Sequence, residues 1–142
     1  VYQRVYLDRW NPDWDKLITD RSRPLSARLQ EFYVQYADRV FDYEWVHILM
    51  YSGLKENGLP NRYLAVIREK VILPVLEELI ETNLVNGDAS QRQNSEELLW
   101  AMHGGMFYIA IRRFVYQFGP QIDPEPAIRE IVSTYIKGLN AE

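Results

Sequence analysis

Glu44-Trp45-Val46-His47 sets a carboxylate and an imidazole three residues apart, a spacing that brings both to one face of a helix. In a di-iron helical bundle such a pair is half of the donor set. The other half is a second Glu-x-x-His, with two further inward carboxylates on facing helices. The chain has one other histidine, His103, and Trp100 stands three residues before it. A di-iron site therefore fails on donor count. Glu44, His47 and His103 could still meet around zinc if their helices converge, which keeps a metal-dependent helical-bundle enzyme as an alternative. The plainer reading makes both histidines hydrogen-bonded residues at a core edge or cavity wall.

Other chemistry finds less to work with. Ser26, Ser52, Ser90, Ser95 and Ser133 lie in no Gly-x-Ser-x-Gly elbow, and no phosphate loop is present. Gly104-Gly105 follows no strand pattern, so it is not a dinucleotide fingerprint. The absence of cysteine removes thiolate catalysis, thiolate metal sites and disulfides, and leaves the redox compartment unread. No catalytic residue, metal site or cofactor is expected.

Composition narrows the classes further. The 142 residues suffice for one domain with a substantial core. A net charge of −4 without a basic stripe argues against this segment gripping nucleic acid by itself. Ten tyrosines and four tryptophans make rings unusually frequent, enough to fill a large core or to line a cavity or interface. The longest uncharged apolar run, Leu98 to Ile111, is short of the roughly 20 residues that span a bilayer. No membrane association is expected, and the expected location is cytoplasmic.

The elements that would position these residues read as helices punctuated by proline and glycine, an all-α bundle. Val1 to Trp10 opens in mid-helix by pattern, which suggests a piece of a longer protein. Asn11 caps a short helix to about Thr19, and Pro24 opens a longer one striped by Leu25, Leu29, Phe32, Tyr33, Tyr36, Ala37, Val40 and Phe41. Asp42 to Gly53 is apolar nearly all round, hence expected to be buried. A helix from Asn61 to Asn83 should kink at Pro74. Asn94 and Glu97 resemble a capping box that starts a helix to Phe118, and Asp123-Pro124 starts the last.

Gly104 and Gly105 interrupt the apolar run WAMHGGMFYIAI, each costing about 1 kcal/mol of helix propensity against alanine. On the same helix Leu98, Met102, Ile109 and Val115 cannot all share a face with Trp100, Phe107, Ile111 and Phe118. Two buried faces and two glycines suggest close packing, with the last helix as companion and a second chain completing a two-fold four-helix interface. The expected interface residues are Gly104, Gly105, Tyr108, Arg112, Ile128, Val132, Tyr135 and Ile136. The alternative is that the glycines only loosen or bend a core helix.

Aromatic and methionine residues from three helices suit a pocket for a flexible apolar or aromatic ligand. Tyr36, Trp45, Leu49, Met102 and Met106 are the expected apolar walls, with Tyr33 and His103 as polar contacts. Each of them could instead be plain core.

FDYEWVHILMYSGLKENGLPNRYL, EELLWAMHGGMFYIAIRRFVYQFG and EPAIREIVSTYIKGL together resemble the C-terminal regulatory domain of the tetracycline-repressor (TetR) family of bacterial transcription regulators. The resemblance covers the whole chain and rests more on helix number and order than on exact letters. It implies a homodimer through the last two helices and an effector cavity among the central ones. Residues 1–20 would be connecting helices, and residues 21–142 the effector-binding and dimerisation domain. DNA would be reached only through a helix-turn-helix domain expected before Val1. The mechanism implied is a population shift, with an effector favouring one spacing of the DNA-reading domains and the kink at Pro74 marking an element that adjusts. A dimerisation module without a ligand is the remaining alternative.

Overall fold

The computed structural model describes residues 7–56, 58–119 and 121–139. Among these the chain is all helix, without a strand. The expected helical segment Val1–Trp10 falls largely outside the described residues; its end, Leu7–Arg9, is a single 3₁₀ turn. Then follow α1 (Asp13–Thr19), α2 (Leu25–Val40), α3 (Tyr43–Leu54), α4 (Leu59–Ile67), α5 (Leu73–Glu81), α6 (Ala89–Ala110) and α7 (Glu125–Leu139).

Short polar side chains start these helices. The Asn11 side chain accepts the Asp13 N–H at 2.9 Å before α1, and Asp42 accepts the Trp45 N–H at 2.7 Å before α3. Each satisfies a backbone donor that the first turn leaves free. Asp88, not Asn94, caps α6 by accepting the Gln91 N–H at 3.1 Å. The helix therefore begins six residues earlier than the capping-box reading placed it. Those added turns are polar, and ion pairs tie them down: Arg92 to Glu77, and Arg68 to Glu96 at 2.9 Å.

Just before Pro74, where a kink is expected, the structure has a π-helical turn, Arg68–Ile72, joining α4 to α5. The Leu73 N–H reaches back five residues to the Arg68 carbonyl. The helix thus widens just before a proline that has no N–H of its own to offer and whose ring crowds the preceding turn. A second π-helical turn, Ile111–Val115, continues α6. The chain then turns away through Gln117 and Gly119 at positive φ, ending the helix before the expected Phe118.

The helix α2 runs through the middle of the bundle. It packs against α1 on one side and along α7 on another, while α6 touches α5 and α7. Leu29, Phe32, Tyr33, Tyr36, Ala37 and Val40 form its buried stripe, at the expected spacing. Trp14 and Ile18 of α1 lie in that same core, so a boundary at residue 20 does not divide two hydrophobic cores. Near the start of α2, the described residues include one buried ion pair. Arg28, wholly buried, donates to the Ile18 and Arg23 carbonyls and pairs with Glu78 at 2.5 Å.

The expectation that Asp42 to Gly53 is buried all round is corrected. Trp45, Val46 and Leu49 of α3 face the core, but Tyr51 and Leu54 are 63% and 81% exposed. The ring of Tyr43, also exposed, stacks on His47 at 3.8 Å between centroids.

Candidate functional site

Between α3, α4 and α6 lies an apolar groove of about 410 Å³. Leu49, Met50, Gly53 and Leu54 of α3 form one wall, and Pro60, Tyr63 and Leu64 of α4 form the second. Trp100, His103, Gly104 and Phe107 of α6 form the floor. These four recur at helical spacing, so α6 turns one full side toward the groove. Gly104 has no heavy atom within 4 Å of where a Cβ would stand. Its missing side chain is open groove space.

His103 brings the groove its imidazole, the bordering side chain best suited to acid–base or ligand chemistry near neutral pH. It is 7% exposed, and its Nδ1 lies 3.1 Å from the Tyr33 hydroxyl. Burial depresses its pKa to about 4, because a charged imidazolium would lose its hydration without gaining a partner charge. Burial also pushes the Tyr33 phenol above its ordinary value of 10.0. Both groups are neutral across the physiological range. Among the described residues no Asp, Glu, Lys or Arg borders the groove, so a charged ligand entering it would lose hydration without gaining an ion pair from them.

Of the seven residues expected to bind a ligand, Leu49 and His103 border the groove, and Tyr33 supports His103 from behind. Tyr36, Trp45, Met102 and Met106 do not border it. They are core side chains, between 0% and 3% exposed. Trp45, for example, packs edge-on against Tyr63 and Phe107 at 5.2 and 5.6 Å. Their apolar character was consumed by packing, as is usual for rings and methionines in an interior this dense. Met50 and Phe107, which also border the groove, belong to the aromatic and methionine residues read as suiting a pocket, although not to the seven named. Leu54, Tyr63 and Leu64 were missed, and Trp100 was visible only as part of the second apolar face of the long helix.

The eight expected interface residues divide. Ile128 and Val132 are corrected: they are 1% and 0% exposed within one chain, spent on the core beside α2, and leave no surface for a second copy. Gly104 belongs to the groove. Tyr135 and Ile136 are half-buried beside Leu99 and Met102. Gly105 and Tyr108 are exposed and fall, with Leu98, Ala101 and half-buried Arg112, on one stripe of α6. Tyr108 lies under the Arg112 guanidinium at 5.6 Å. Gly105, like Gly104, has nothing within 4 Å of a Cβ position, so close packing inside the chain does not account for either glycine. The helix α6 is thus apolar on three sides: core, groove and exposed stripe.

The donors named for a zinc site are engaged elsewhere. His47 donates from Nδ1 to the Tyr43 carbonyl at 2.8 Å and is stacked on Tyr43, whereas His103 is held inside by Tyr33. Among the described residues no three His, Asp or Glu side chains gather closely enough to hold an ion. Also among the described residues, no helix is long and apolar enough to cross a membrane. Compared with known proteins, the chain matches no family model, no curated protein and no solved structure.

Proposed function

We propose that the chain is the effector-binding, dimerising regulatory domain of a TetR-like bacterial transcriptional regulator, acting on DNA through a separate helix-turn-helix domain. The observation that carries this reading is the groove of about 410 Å³, walled by apolar side chains around one buried neutral histidine. Volume and lining match those of small-molecule sites, which are concave and mostly apolar with few polar groups. The exposed stripe of α6, with Gly105 at its centre, supports self-association. A second α6 can approach closely there, because glycine keeps the backbone bare.

The effector is a small apolar or aromatic molecule. It acts by stabilising one arrangement of α3, α4 and α6, and its leverage on DNA affinity is limited to its differential affinity for the two arrangements. The π-helical turn before Pro74 lies between α4, which walls the groove, and α5, which packs on α6. It is the element best placed to pass a change in the groove to the rest of the bundle.

Thermal-shift screening against small apolar and aromatic compounds tests the reading. A ligand present at one hundred times its dissociation constant adds about 2.7 kcal/mol of stability. No stabilisation by any member of a broad panel would favour a dimerisation module without a ligand.

A further inference from the structure

The Tyr33–His103 contact fixes which nitrogen of His103 carries its proton. Tyr33 is 2% exposed, and its hydroxyl makes a buried hydrogen bond to His103 Nδ1. The described residues offer that phenolic proton no second acceptor, and a buried hydroxyl that donates to nothing is costly. The hydroxyl therefore donates to Nδ1. A nitrogen that accepts is unprotonated, and the neutral ring then carries its hydrogen on Nε2. With Nδ1 committed to the core, Nε2–H is the ring's remaining polar group. It has no hydrogen-bond partner among the described residues, and the ring borders the groove.

We propose that the groove takes an uncharged apolar ligand bearing one hydrogen-bond acceptor, such as a ketone or ester carbonyl, which receives the Nε2–H of His103. This rests on the groove being the effector site. A hydrocarbon would fill the space but leave the donor unmet. An ammonium or carboxylate would surrender its hydration to a lining without a countercharge. A carbonyl satisfies the donor while its apolar body covers Trp100, Phe107 and Leu64.

The tautomer is measured on the native protein alone. Two-bond proton–nitrogen correlation spectra resolve the two histidines, and the inference requires His103 protonated at Nε2. Protonation at Nδ1 overturns it. The ligand class is measured with four probes of similar shape: butyrophenone, butylbenzene, 4-phenylbutylamine and 4-phenylbutyrate. Their binding to the native chain is compared with binding to Tyr33→Phe/His103→Phe, which removes the donor without orphaning the phenol. Butyrophenone should lose roughly tenfold in affinity in the variant, the range expected for one buried neutral hydrogen bond, while butylbenzene changes little. Both charged probes should bind more weakly than either neutral one. Equal losses for butyrophenone and butylbenzene would overturn the acceptor inference and leave the groove standing as an apolar site. Preference for a charged probe would overturn the uncharged class. Binding of no probe would overturn both this inference and the effector reading beneath it.

Discussion

Lowering the pH from 8 to 5 should cost the fold about 2 kcal/mol through His103 alone. In the folded chain its pKa is depressed to about 4 from the ordinary 6.5, by burial. The unfolded chain therefore binds a proton near pH 6.5 that the folded chain refuses until near pH 4. Stability is full above 6.5, falls as the pH drops through the window, and levels off below 4. The gap of about 2.5 units at 1.36 kcal/mol each sets a total of about 3 kcal/mol, and evaluating the linkage at pH 5 gives about 2 kcal/mol. Urea denaturation of the native chain and of Tyr33→Phe/His103→Phe at both pH values isolates this part. Carboxylates such as Glu77 and Glu96, held low by hydrogen bonds from Arg92 and Arg68, titrate alike in both proteins and cancel. The native chain should lose about 2 kcal/mol more than the variant between the two pH values. Equal losses would mean that His103 is hydrated or paired when charged, and the picture of a buried, neutral imidazole beside the groove would be wrong.

Three substitutions probe the frame around the site. Gly104→Ala should raise stability by about 1 kcal/mol and the melting temperature by about 4 °C, since helix propensity improves and the new methyl enters open groove space; calorimetry showing a loss would mean that something packs there. Glu78→Ala should cost about 3 kcal/mol, because it leaves wholly buried Arg28 without its carboxylate; a loss under about 1 kcal/mol in chemical denaturation would assign Arg28 to its carbonyl partners instead. Gly105→Leu should leave circular dichroism unchanged while weakening self-association, because it places a bulky side chain at the centre of the exposed α6 stripe; unaltered association would put the contact elsewhere.

Much of the architecture was legible in the residues. The α2 stripe from Leu29 to Val40 has strict helical spacing, and Asn11, Asp42 and Asp123 are short acceptors set just ahead of the helices they precede. What escaped depended on partners distant in sequence. The first turns of α6 carry no apolar periodicity, so nothing local distinguished Asp88 from Asn94 as the start. Glu77 and Arg68, on other elements, help to hold those turns. Pattern likewise marked a kink at Pro74 but not the π-helical turn just before it. For the site, composition showed an excess of rings, with methionines among them on the same helices, without showing which of these residues the core would consume. Tyr36, Trp45, Met102 and Met106 went to the interior, and Met50, Tyr63 and Leu64 line the groove. That division is set by how α3, α4 and α6 cross, which no single helix records. Ile128 and Val132 show the same limit, because one apolar stripe on α7 served two surfaces and only packing against α2 decided which residues were used up.

Sedimentation equilibrium of the chain at micromolar concentration asks whether α6 carries more apolar surface than one copy can cover. With Leu98, Gly105 and Tyr108 exposed along one stripe, a two-chain particle is expected, at twice the 16.9 kDa of the single chain. A folded particle that stays at 16.9 kDa across that range would contradict the dimer, and with it the regulatory reading.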